Sequence, residues 1–181
     1  TPLGDHSHRV DRHPDGRTCI VFREFARGHG DVTVLGPLTR ARLKRANHFT
    51  RAVLFQFKPG WSTPLLGFGA SELTDDHVFV EDLWGPVGRE LVRTLLSARN
   101  VGEMLDGLVR TLASRFDLAW EPASAPIARR AARILEQENA EVESVAARVG
   151  VTARHLRRAF AENIGVTPKD FARAARLRRA L

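Results

Sequence analysis

The chain reads as α+β, a small antiparallel β-module with helices attached, followed by an all-helical module. Three features of the sequence predict this. β-Branched and aromatic runs alternate with turn residues over residues 17–60. The apolar period lengthens to that of a helix from about residue 87. No strand pattern returns after a proline-bearing stretch at 117–125. Short strands at close spacing favour an antiparallel sheet or barrel over a parallel α/β fold.

The strand candidates come first. They are Thr18-Cys19-Ile20-Val21-Phe22, Val32–Leu35 and Val53–Phe57. Pro14-Asp15-Gly16, Gly28-His29-Gly30, Gly36-Pro37 and Lys58-Pro59-Gly60 flank them with turn chemistry. Next, Leu91, Leu95 and Leu96 share one face of a helix. Asn100-Val101-Gly102-Glu103 has the form of a capping box and opens a second helix, with the apolar stripe Leu105, Leu108, Leu112 and Phe116. That stripe serves either as core or as a dimer or interdomain surface. A linker is expected at 117–125. Beyond it, Ile127, Ala131, Ile134 and Leu135 mark an amphipathic helix; residues 142–149, 152–162 and 168 onward form three more.

Charge narrows the class of partner. The formal net charge is +7, unevenly spread. Residues 1–120 carry 16 Lys/Arg against 14 Asp/Glu, residues 121–181 carry 12 against 7, and 148–181 alone carry 9 against 2. So local a basic block suits a polyanion, with phosphates the first candidate; a solvated helical face is the plainer alternative. No apolar run approaches the ~20 residues of a membrane span and no signal-peptide pattern is present, so no membrane partner and a cytoplasmic address are expected.

Catalytic and metal chemistry find little footing. The single cysteine, Cys19, excludes an internal disulfide and a cysteine-based zinc site, and its place in a strand predicts a buried, inert thiol. His6-Ser7-His8 with His13 suggests metal ligands, but the glutamate such a site wants is missing and only Asp11 is near. Gly67-Phe68-Gly69 lacks the context and the third glycine of a dinucleotide loop. No metal, cofactor or enzymatic activity is therefore expected. Phe55, Phe57, Trp61 and Trp84 are candidates for lining an effector pocket, against the commoner reading of aromatic core.

Residues 142–162 carry the strongest pattern. A helix-turn-helix needs a small residue where its helices cross, a turn residue tolerant of positive φ, and a buried apolar residue about six positions later. Ala146, Gly150 and Leu156 meet these needs. Val145, Val149, Val151 and Phe160 complete a small core, and Thr152 sits at the N-cap of the second helix. With Leu156 and Phe160 inward, Ala153, Arg154, His155, Arg157 and Arg158 face outward or flank the seam. Arg154 and Arg157 are the candidates for base contact, because arginine bonds guanine bidentately. Arg158, Lys169 and Arg148 are the candidates for phosphate, which positions without reading sequence.

Residues 142–177 resemble the first helix-turn-helix of AraC-family regulators. The marks are Leu156-Arg157-Arg158-Ala159-Phe160, Gly165-Val166-Thr167-Pro168, Phe171 and Arg176-Leu177. In the second of these, glycine ends one helix, threonine caps the next and proline enters its first turn. The front of the chain resembles the cupin-like sensor domain of such regulators. That likeness rests on His13-Pro14-Asp15-Gly16, Val34-Leu35-Gly36-Pro37, Phe57-Lys58-Pro59-Gly60, Leu65-Leu66-Gly67 and Asp82-Leu83-Trp84-Gly85.

The resemblance implies a cupin-like β-barrel or sheet with C-terminal helices at 1–116, for sensing or dimerisation, a linker at 117–125, and a helix-turn-helix DNA-binding domain at 126–181. It implies double-stranded DNA as partner, with a small organic effector and a second copy of the chain as further partners. Such regulators carry two helix-turn-helix units, so the chain is expected to be a piece of a longer protein, lacking the second unit and the first sensor strand. A cupin-like enzyme or ligand carrier, with a helical tail for a protein partner, is the competing expectation.

Overall fold

The described residues of the computed structural model are 8–12, 14–46, 48–116 and 121–180, with the backbone alone described at 8–12 and 43–46. His6, Ser7 and His13, weighed above as metal ligands, lie outside them, as does the His8 side chain. Six strands and eight α-helices form an α+β fold among the described residues. β1 (His8–Arg12) pairs antiparallel with β4 (Arg42–Ala46) as a two-stranded ribbon. β2 (Cys19–Ala26), β3 (His29–Leu35), β5 (Arg51–Gln56) and β6 (His77–Phe79) form an antiparallel sheet in the order β5-β2-β3-β6.

Alternation along the strands selects the inner face. Phe22 pairs with Val32 on one side and Val53 on the other, and Ile20 with Val34 and Phe55. These side chains turn toward α3 (Pro86–Ser97) and α4 (Val101–Phe116), where Leu91, Leu95, Met104 and Leu108 close a first apolar core. On the outer face Arg23 spans the sheet, donating to both carboxylate oxygens of Asp31 at 2.9 Å and to Thr33 Oγ1 at 3.0 Å. Two short helices, α1 (Thr63–Leu66) and α2 (Val80–Trp84), and a 3-10 turn at Ala70–Leu73 fill the edge.

Asn100 caps α4, its Oδ1 accepting from Glu103 N–H at 2.9 Å, but the Glu103 carboxylate accepts from the N–H of Arg99, at 2.9 Å, so only the Asn100 half of the expected capping box forms. The stripe of α4 differs from the expectation. Leu108 and Leu112 are buried, but Leu105 and Phe116 are exposed, and Met104 and Gly107 face inward in their place. Gly107 marks a close approach of the two helices: a Cβ there would stand 2.7 Å from Thr94 Cγ2 of α3, so a larger residue would have to displace that methyl.

Four helices complete the chain: α5 (Ala125–Gln137), α6 (Val142–Arg148), α7 (Ala153–Ile164) and α8 (Pro168–Ala180). Ala128, Ala131, Leu135, Val145, Leu156 and Phe171 belong to a second apolar core. Of the stretch expected as linker, 117–120 lie outside the described residues. Pro122 beyond them is buried, and Ser124 Oγ donates to Glu162 Oε2 at 2.5 Å. A polar seam joins the two cores. Arg129 of α5 donates to the Gly60 carbonyl at 2.8 Å and stacks on Trp61 at 3.6 Å. Thr74 Oγ1 donates to the Gly165 carbonyl at 2.6 Å, and Glu136 accepts from Arg17 at 2.7 Å and Arg178 at 3.2 Å. Among the described residues no helix is long and apolar enough to cross a membrane.

Candidate nucleic-acid interface

α6 and α7 are separated by a tight turn over 149–152. The N–H groups of Val149, Gly150 and Val151 return to the carbonyls of Val145, Ala147 and Ala146 at 3.0–3.1 Å, which closes α6. Gly150 takes φ +79°, the left-handed conformation that lets the chain leave the helix. Thr152 then caps α7: its Oγ1 accepts from His155 N–H at 3.2 Å. Ala146, Leu156 and Phe160 are buried between α5, α6 and α8, and the Phe160 and Phe171 rings meet edge to face at 5.7 Å.

Burying Leu156 and Phe160 fixes which side of α7 meets solvent. Arg154, His155, Arg157 and Arg158 are exposed, Thr152 is exposed beside its cap bond, and Ala153 is half-buried at the seam. Lys169 is exposed in the first turn of α8, where Thr167 Oγ1 accepts from Asp170 N–H at 3.1 Å. The charged groups of Arg154, Arg158 and Lys169 have no hydrogen bond or ion pair among the described residues.

The other two arginines are engaged. Arg148, expected to hold phosphate, places Nη1 and Nη2 on the two carboxylate oxygens of Glu138 at 2.6 and 2.9 Å. The hydrogen bonds from Arg148 hold the Glu138 carboxyl below its ordinary 4.5, and Glu138 in turn raises Arg148. Arg157, expected to read a base, donates from Nη2 to Glu143 Oε1 at 3.0 Å; more than half of each of these side chains remains exposed. Glu138 and Glu143 escaped the sequence reading. Their signal in the sequence is the spacing of Glu136, Glu138, Glu141 and Glu143 from the end of α5 into α6. A shallow groove of about 780 Å³ runs along this side, lined by Glu141, Glu143, Arg157, Lys169 and Arg176.

The four aromatics considered for an effector pocket do not share one. Phe57 and Trp84 are buried in the first core, and Phe55 packs against it, edge to face with Phe57 at 5.3 Å. Trp61 lies under the Arg129 guanidinium. An open cavity of about 300 Å³ lies elsewhere, where residues 14–16 and 38–39 face α8; Leu38, Val166, Arg173 and Leu177 line it. Cys19 is buried in β2, 3.7 Å from Gln56 Nε2. Among the described residues no group of three or more His, Cys, Asp or Glu side chains is placed to hold a metal ion. No protein-family model, curated protein or solved structure matches the chain.

Proposed function

We propose that the chain is a DNA-binding transcription regulator that inserts α7 into a major groove. One observation carries this reading: the break at Gly150 sets α7 against α6 with Leu156 and Phe160 inward, which leaves Arg154, His155, Arg157 and Arg158 on the outside. A capped helix with a cationic outer side fits the groove and the phosphates that flank it. In this reading residues 142–177 form a helix-turn-helix similar to the first unit of AraC-family regulators. Arg154 and Arg157 address bases, Arg158 and Lys169 address phosphates, and the N-terminal end of α7 leads.

The β-module with α3 and α4 is then a cupin-like sensor acting in the cytoplasm through a small organic effector or a second copy of the chain. The cavity between that module and α8 has an apolar wall and the Arg173 side chain, and at about 300 Å³ it lies at the lower end of the range for small-molecule sites.

Titration with mixed-sequence duplex DNA at several salt concentrations tests the proposal. The logarithm of the affinity falls linearly with the logarithm of salt, by about 0.9 for each phosphate engaged. A folded chain that binds no duplex at low salt overturns it and leaves the ligand-carrier alternative standing.

A further inference from the structure

The five cations expected to bind DNA fall into two groups, beside Arg176, which donates to Asn139 Oδ1 at 3.3 Å. Arg154, Arg158 and Lys169 have no charged partner among the described residues, whereas Arg148 and Arg157 are each held by a carboxylate from the α5–α6 region. Glu138 takes up the Arg148 fork in the bidentate geometry a phosphate would use, and Glu143 takes one nitrogen of Arg157. Glu143, Arg157 and Lys169 line one groove, so the carboxylate stands among the cations that would follow a phosphodiester backbone.

We propose that Glu138 and Glu143 are intramolecular stand-ins for DNA phosphate, which keep Arg148 and Arg157 out of the contacts made with indiscriminate duplex. This rests on the nucleic-acid reading above, with Arg157 turning to phosphate on duplex that lacks the base it addresses in a selected site. Both pairs are solvent-exposed, with side chains 45–67% accessible. Exposed pairs contribute little to stability, so neither is needed for folding. Near a duplex they act twice. A neutralised arginine releases no counterion from the backbone, and its carboxylate repels the phosphate that would replace it. The interface therefore holds DNA with fewer cations than its sequence contains, and non-specific affinity is kept low.

The test compares wild type with Glu138→Gln, Glu143→Gln and the double variant on mixed-sequence duplex across a salt series. Glu90→Gln serves as the control. It removes the same charge from an exposed pair with Arg93 on α3, away from this side. The double variant binds several-fold to about tenfold more tightly at low salt, with the salt slope steeper by about 0.9 for each arginine released. The gain disappears when Arg148 and Arg157 are also replaced by Gln, and Tm barely moves in any variant.

Wild-type binding with the slope unchanged in the double variant overturns the inference while leaving the nucleic-acid reading intact. So does an equal gain in Glu90→Gln, which reduces the effect to net charge. Relaxed sequence preference in Glu143→Gln without tighter mixed-sequence binding also overturns it, by making Glu143 a positioning residue for Arg157. A wild-type chain that binds no duplex at low salt removes the nucleic-acid reading, and this inference with it.

Discussion

At the scale of single residues, Arg154 and Arg158 sit four positions apart on α7, exposed alike, yet the proposed mode of binding gives them different tasks. Arg154 is the second residue of the helix, and base edges are met by the leading end. Arg158 lies one turn further in, which in the proposed mode sets it level with the phosphate walls of the groove. Arg154→Ala is therefore expected to cost about 1–3 kcal/mol on a selected site and to relax preference at one base position. Arg158→Ala weakens all sequences alike and flattens the salt slope by about 0.9. Selection from a randomised duplex pool, followed by binding curves for both variants, distinguishes the two. Two variants that both left affinity and preference unchanged would show that α7 presents some other side to its partner.

At the scale of elements, the two left-handed glycines that bound α7 differ in what surrounds them. Gly150, at φ +79°, has open space where a Cβ would be, so Gly150→Ala meets only the backbone cost, about 1–2 kcal/mol. Gly165, at φ +83°, adds a clash: a Cβ would stand 2.6 Å from Pro37 Cγ and 2.7 Å from the Ala70 carbonyl oxygen. Gly165→Ala must also disturb the seam to the β-module, so its fall in Tm exceeds that of Gly150→Ala. Equal falls would mean that the end of α7 is not fastened there.

The same contrast explains how much was legible in the sequence. Local chemistry announced the Gly150 turn, the Thr152 cap, the Leu156 and Phe160 core and the Asn100 cap. Each depends on residues a few positions apart, where chain geometry alone brings the partners together. β4 did not announce itself, because Arg42-Leu43-Lys44-Arg45-Ala46 has no apolar run, and β6 is too short at three residues. Leu105 and Phe116 have the right period for burial, yet α4 packs with Met104 and Gly107 inward and leaves them exposed. The pairs Arg148–Glu138 and Arg157–Glu143 span ten and fourteen residues. They exist only once α5, α6 and α7 have packed.

At the scale of the whole molecule, two apolar cores unfold as one only if the seam between them is worth more than the entropy gained by separating. Arg129 is the best-placed residue in that seam. Its side chain is 13% exposed, its guanidinium stacks on Trp61, its Nε donates to the Gly60 carbonyl, and it pairs with Glu121. A stacked cation contributes up to about 2 kcal/mol when desolvated, and a charge-assisted hydrogen bond about 1.5–3 kcal/mol. Arg129→Ala therefore costs roughly 3 kcal/mol, nearly all of it at the seam, since neither core loses an apolar side chain. Calorimetry of the wild type is expected to give one transition, with calorimetric and van't Hoff enthalpies equal. In Arg129→Ala the helical module melts first and the enthalpies separate. Glu121→Gln is the internal control: its carboxylate is 45% exposed, and its loss shifts the single transition by less than about 1 kcal/mol. A single, unshifted transition in Arg129→Ala would place the coupling on the Glu136 cluster instead, where Arg17 and Arg178 converge from the β-module and α8.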